Sequence, residues 1–221
     1  MAQRPARERL IEAAFALFEE RGYEQTTVDD IAERAGVGRT TFFRAFRSKE
    51  EVIFPDHDAV MQAVSARLAG STQQTALLAV TDAVRLVLRH YLSEGELALA
   101  RYRLTRSVTA LRDREIASTQ QYHRAFYNFI HDWLGGGSDT ALKAELMAAA
   151  VVTAHNHVLR RWLRRQTDRP EAEFDAAMSW TVNLFNEREP DRDEAALVVF
   201  RTTKDLDTVI PALRGLLGNP G

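Results

Sequence analysis

Apolar residues in this 221-residue chain recur three and four positions apart rather than two. That interval returns side chains to one face of an α-helix, whereas a half-buried strand needs strict alternation. From Leu10 the positions Ile11, Ala14, Phe15 and Phe18 make a single stripe, and Gly22 ends it as a left-handed cap. Thr27 opens a second helix with Asp29 and Asp30 in its first turn, where acids suit the helix dipole. That helix turns Val28, Ile31, Ala32 and Ala35 inward and stops at Gly36. A third short helix spans 39–46, and Ser48 with Glu51 forms a capping box that opens a fourth. Pro55 interrupts, and a further helix runs to about residue 68. After a polar loop, the pattern predicts helices at about 75–93, 95–111, 113–134, 139–166 and 170–187. Gly135-Gly136-Gly137 and Asp168-Arg169-Pro170 supply the later breaks. In the tail after Glu187, residues 196–200 read equally as a short strand or a buried helix, and 205–217 as helix.

Composition removes several classes. With 29 basic residues against 31 acidic ones the net charge is −2, so any polyanion-binding surface must be local. The absence of cysteine excludes disulfides, thiolate nucleophiles and Cys-ligated metals, and fits a reducing cytoplasm. No stretch approaches the roughly 18 apolar residues of a membrane span; residues 148–154 come closest. The basic start at 1–9 is not followed by an apolar signal core, so the chain reads as a soluble, cytoplasmic protein.

Segment 26–49 concentrates the functional signal. Two short helices joined by a tight, glycine-bearing turn follow a longer amphipathic helix, which is helix-turn-helix geometry. In such a unit the second helix enters the major groove of DNA. Residues 39–49 hold Arg39, Arg44, Arg47 and Lys49 with no acid, whereas residues 1–38 carry more acids than arginines. Positive charge is thus concentrated where a phosphate backbone is met. Phe42 and Phe46, four apart, face inward and leave Arg39, Thr40, Phe43, Arg44 and Arg47 outward. Lys49 falls in the first turn of the fourth helix, where backbone N–H groups also favour an anion.

The run TTVDDIAERAGVGRTTFFRAFRSKEEVI resembles the DNA-binding signature of TetR-family transcriptional regulators, over about residues 7–54. The resemblance implies an all-α protein of two domains: a three-helix helix-turn-helix domain at 1–54 and a larger helical ligand-binding and dimerisation domain at 55–221. It also implies a homodimer on a double-stranded, pseudo-palindromic operator, most often a repressor released by a small-molecule effector. By this resemblance Thr27 is a phosphate-contacting cap, Arg39, Thr40 and Thr41 reach bases or adjacent phosphates, and Lys49 binds phosphate. Phe43 stands where the family usually has Tyr; it lacks the hydroxyl but can pack on sugar or a thymine methyl. Ala45 stands where His or Tyr is common. The pairing helices implied are those at about 139–166 and 170–187, with residues 148–152, Phe174, Ala177, Met178, Thr181, Leu184 and Phe185 at the seam.

The middle of the chain is rich in aromatic residues, most of them expected in the core. Tyr102, Arg106, His123, Tyr127, His155 and Trp162 are the candidates for a ligand cavity. The arginines at 103–112 and 160–165 resemble the sensor domain of many actinobacterial TetR-type regulators, some associated with mycofactocin clusters. That likeness implies an effector such as an amphiphilic acid or acyl-CoA, although the same arginines read equally as surface charges.

His155 and His157 are two apart and point apart on a helix, and no His-Glu-x-x-His set appears, so no metal site is expected. No phosphate-loop, Rossmann, paired-carboxylate or Ser–His–Asp pattern stands out, so neither enzymatic activity nor a cofactor is expected. The alternative to a ligand-released repressor is a helix-turn-helix protein without an effector, governed by a protein partner or acting as an activator.

Overall fold

The computed structural model describes residues 4–54 and 57–185 and places ten α-helices in them, with no strand among the described residues. The first four are short: α1 (Ala6–Arg21), α2 (Val28–Arg34), α3 (Arg39–Ala45) and α4 (Lys49–Ile53). Each boundary has a local cause. Gly22 ends α1 at a φ of 85°, where a side chain would be strained. Thr27 caps α2, with the Asp30 amide donating to Oγ1 and the Thr27 amide donating back to the Asp30 carboxylate at 2.8 Å. Gly36, at a φ of 64°, turns the chain between α2 and α3. Phe46 adopts extended backbone and stops α3, and the Ser48 hydroxyl accepts from the Glu51 amide to start α4.

Leu10, Ala14, Ile31, Phe42, Val52 and Ile53 are completely buried and form one apolar cluster. Arg9 of α1 donates to the Ala35 carbonyl at 3.0 Å and fastens α1 to the turn before α3. This cluster is not closed by α1–α4 alone. Leu111, equally buried, completes it from further along the chain, and Leu97, Ala100, Leu104 and Val108 pack on its edge.

The remaining helices are α5 (His57–Ala69), α6 (Ala76–Glu94), α7 (Glu96–Ser107), α8 (Thr109–Trp133), α9 (Ala141–Leu163) and α10 (Pro170–Phe185). Their apolar stripes share a second core around Val64, Leu88, Phe126, Ile130, Val158 and Phe174. Alanines 79, 83, 144 and 148 are fully buried and let neighbouring helices approach closely. At the periphery Arg89 pairs with Glu171 at 2.8 Å and Arg161 with Glu173 at 2.9 Å. Such exposed pairs contribute about 0–1 kcal/mol each, so burial of the stripes carries this half of the fold.

The break between α7 and α8 falls at Val108, not near residue 112 as the apolar pattern predicts. Val108 is extended (φ −112°, ψ 114°), and α8 begins early enough to deliver Leu111 into the N-terminal core. Burial of one leucine is worth about 2 kcal/mol, which offsets the lost helical continuity at least in part. Pro55, the expected interruption, lies outside the described residues, as does the tail whose strand or helix character the pattern leaves open. No helix among the described residues is long and apolar enough to cross a membrane.

Candidate functional site

Two sites emerge, one on α3 and one within α5–α9. On α3 and the two residues after it, those at 39, 40, 43, 44 and 47 are exposed, Thr41 is half-buried, and Phe42 and Phe46 are buried. Phe43 keeps 45% of its surface in water although it is a large apolar group. The Arg39 guanidinium lies 5.0 Å from the Phe43 ring centroid and 2.5 Å from Asp29 of α2. Phe43 is held by Arg39 from outside and by an edge contact with Phe42, at 5.4 Å, from inside. Arg44 and Arg47 carry no ion pair among the described residues. The face is a strip of arginines around one aromatic ring, with Asp29 of α2 at its edge and Phe42 and Phe46 in the core behind it.

Thr27 and Lys49 flank this strip, but each already has partners. The Thr27 hydroxyl is engaged with Asp30, whose carboxyl is held down to about 2 by the Thr27 hydroxyl and amide and by Arg21. Lys49 donates from Nζ to the carbonyls of Tyr23 (2.8 Å) and Thr26 (2.9 Å), with Nζ 4.0 Å from the Tyr23 ring centroid. The lysine thus clamps α4 to the segment leading into α2. An ammonium has three donors, so one is left beyond these two carbonyls.

The second site is a partly open cavity between α5, α6, α7, α8 and α9. Phe54, Tyr91, Tyr122 and Phe126 supply ring surfaces, and Val60, Val84, Val87 and Leu159 supply aliphatic ones. Among the polar groups in the wall, Arg101 and His155 are buried and Glu115 is half-buried. Arg101 of α7 makes a bidentate pair with Glu94 and donates its Nε to the Ile53 carbonyl at 2.5 Å. Burial raises the proton affinity of Glu115. His155 is buried, its Nδ1 is 3.2 Å from Asn156 Oδ1, and burial holds it down to about 4. Its Nε2 has no hydrogen-bond partner among the described residues.

Of the six ligand candidates read from the sequence, only His155 lines this cavity. The Tyr102 hydroxyl accepts from Arg164 (2.9 Å) and Arg106 (3.1 Å) in a surface cluster. His123 and Tyr127 line a separate shallow depression with Glu145, and the Tyr127 ring stacks on His131 at 5.5 Å. Trp162 borders a third groove beside Glu96 and Arg165. The arginines that suggested an acidic head group are therefore engaged outside the cavity: Arg161 with Glu173, Arg164 with Tyr102, and Arg165 with Glu96. Sequence reasoning missed Arg101 and Glu115. Arg101 did carry a signal, because it falls on the apolar stripe of α7 between Ala98 and Thr105, both buried.

The residues expected at a seam also divide. Ala148, Val151, Phe174, Met178 and Thr181 are buried within the chain, whereas Leu184 is 56% exposed. The apolar groups that α9 and α10 present to solvent are Leu142, Leu146, Trp180 and Leu184.

Comparison with known proteins places this architecture. The family model for bacterial regulatory proteins, tetR family, matches residues 10–54, the segment holding α2, α3 and α4. The HTH-type transcriptional regulator TcmR of Streptomyces glaucescens is 32% identical over 176 residues, spanning 75% of this chain and 76% of that protein. Among solved structures, a TetR-family transcriptional regulator from Syntrophomonas wolfei superimposes with a TM-score of 0.62 at 17% identity, covering 81% of this chain and 94% of that one. The fatty acid degradation regulator FadR from Bacillus halodurans follows at 0.58 and 18% identity, covering 85% of this chain and all of that one (100%). By sequence match, coverage and fold, the chain belongs to the TetR family of DNA-binding transcriptional regulators.

Proposed function

We propose that the chain is a homodimeric repressor that α3 seats in the major groove of a pseudo-palindromic operator and that a small-molecule effector in the α5–α9 cavity releases. Residues 1–54 would be the reader, and 55–221 the effector-binding and pairing part. The observation that carries the reading is the exposed strip of Arg39, Thr40, Phe43, Arg44 and Arg47 over the buried Phe42 and Phe46. Phosphate contacts from its arginines would set affinity and register, and Arg39 with Thr40 at the helix start would meet base edges.

Pairing is supported by Leu142 and Leu146, one turn apart on α9, and by Trp180 and Leu184, one turn apart on α10, all more than half exposed. Clustered large apolar groups in water mark an interface. A two-fold pair would present two α3 helices to successive major grooves about 34–36 Å apart.

Effector release is supported by the position of the cavity. Phe54 lines it, and Arg101 in its wall holds the Ile53 carbonyl at the end of α4. An occupant that shifts Arg101 or Phe54 would move the end of the helix whose start Lys49 ties to α2. If the effector prefers a spacing of reading helices that DNA does not, it must weaken operator binding by the same coupling factor. The test is a binding shift with the purified protein and DNA flanking its own gene, with and without extracted cell metabolites. A specific complex that the extract dissolves is the expected result. A specific complex that no extract alters would overturn the effector half of the reading, and the absence of any specific complex on a genome-wide selection would overturn the reader half.

A further inference from the structure

We infer that the α5–α9 cavity takes an uncharged, ring-bearing molecule that donates a hydrogen bond to His155 Nε2, and that it rejects carboxylates and phosphates. This rests on the reading of that cavity as the effector site.

The first ground is the unpartnered imidazole nitrogen. His155 is 6% exposed, it lines the cavity, and its Nε2 has no partner among the described residues. Burial keeps the ring neutral at neutral pH. With Nδ1 donating to Asn156 Oδ1, Nε2 is left as a buried lone pair. Such a group needs a donor, and an ionised acid has none.

The second ground is the charge of the wall. Its one arginine, Arg101, is already neutralised by the bidentate pair with Glu94 and further bonded to the Ile53 carbonyl. His57 is bonded to Gln121 Oε1 at 2.6 Å, and His90 lies 3.8 Å from Glu94. Glu115 adds a carboxyl whose proton affinity is raised by burial. An incoming carboxylate would meet a second carboxyl and no uncommitted cation in the wall, and it would lose its hydration. A hydroxylated ring system meets an acceptor at His155 and aromatic faces at Phe54, Tyr91, Tyr122 and Phe126.

Three probes of one ring size separate the terms: 2-naphthol, which donates; 2-methoxynaphthalene, which does not; and 2-naphthoate, which is anionic. Each is titrated into the full-length protein by calorimetry, with the imidazole nitrogens of His155 followed by NMR. The expected result is that naphthol binds at least tenfold tighter than either analogue and shifts the His155 Nε2 resonance. His155→Phe should reduce naphthol to the affinity of methoxynaphthalene while operator binding persists. Equal binding of all three, tighter binding of naphthoate, binding of none, or naphthol affinity untouched by His155→Phe would each overturn the inference. Operator affinity is read in the same samples. Naphthol that moves the His155 signal yet leaves the operator complex intact would sink the effector reading and spare the ligand class. An acid that dissolves the complex without moving that signal would do the reverse.

Discussion

Single side chains do two kinds of work here. Thr27 and Ser48 are legible as caps because a cap is local: the hydroxyl and the amide it serves lie three residues apart. Lys49 is not, because its acceptors on Tyr23 and Thr26 lie more than twenty positions earlier and meet it only after α1 and α2 fold. Lys49→Ala should therefore lower stability without any DNA present. Two hydrogen bonds to a charged donor are worth about 1.5–3 kcal/mol together after solvent screening, a drop of roughly 4–10 °C in Tm for a protein of this size. A melting curve identical to the wild type would show that the clamp is idle. The Asp30 carboxyl, held down to about 2, makes the second prediction. A depressed acid stabilises the fold above its ordinary pKa near 4 and loses that contribution as pH falls toward 2. Thr27→Val should raise the Asp30 carboxyl in an NMR titration, and the stability gap to wild type should shrink as pH falls below about 4. A gap that stays constant down to pH 2 would contradict this.

At the scale of elements, the start and inner face of α3 are readable because Gly38 precedes it and Phe42 and Phe46 lie four apart, while its end falls one residue short of the expected 46, where Phe46 turns extended. The α7–α8 break was not, because Val108 is no turn residue and the reason for the break, Leu111, belongs to a core that the chain reaches from far away. The cavity was only partly readable for a related reason. A charged residue on a buried stripe, such as Arg101, looks like a surface charge until its partner Glu94 is seen across the helix pair. Asp29 of α2 holds Arg39 of α3 and would compete for it with phosphate. Asp29→Asn should tighten binding to all DNA by a few-fold, most visibly at low salt. Arg47→Ala should weaken all sequences alike and reduce the salt slope by about one, whereas Arg39→Ala should change which base is preferred at one operator position. Fluorescence anisotropy across a salt series reads all three, and identical behaviour of the two arginine variants would remove the division between positioning and reading.

For the whole molecule, the proposed pairing rests on the exposed apolar groups of α9 and α10. Trp180→Arg with Leu184→Glu places charges in a seam that would have to be dry, and an unpaired buried charge costs several kcal/mol. The double variant should sediment as a monomer at concentrations where the wild type is a dimer, and its operator affinity should fall by orders of magnitude while its helicity is retained. A dimer that survives both changes would move the seam elsewhere. One further property follows from Leu111. The ribosome releases residues 1–54 first, but their core stays open on one side until residue 111 has emerged. At ordinary rates of synthesis that interval lasts on the order of several seconds. The N-terminal core therefore matures only once the start of α8 exists, and a chain truncated before α8 should be a substrate for proteolysis.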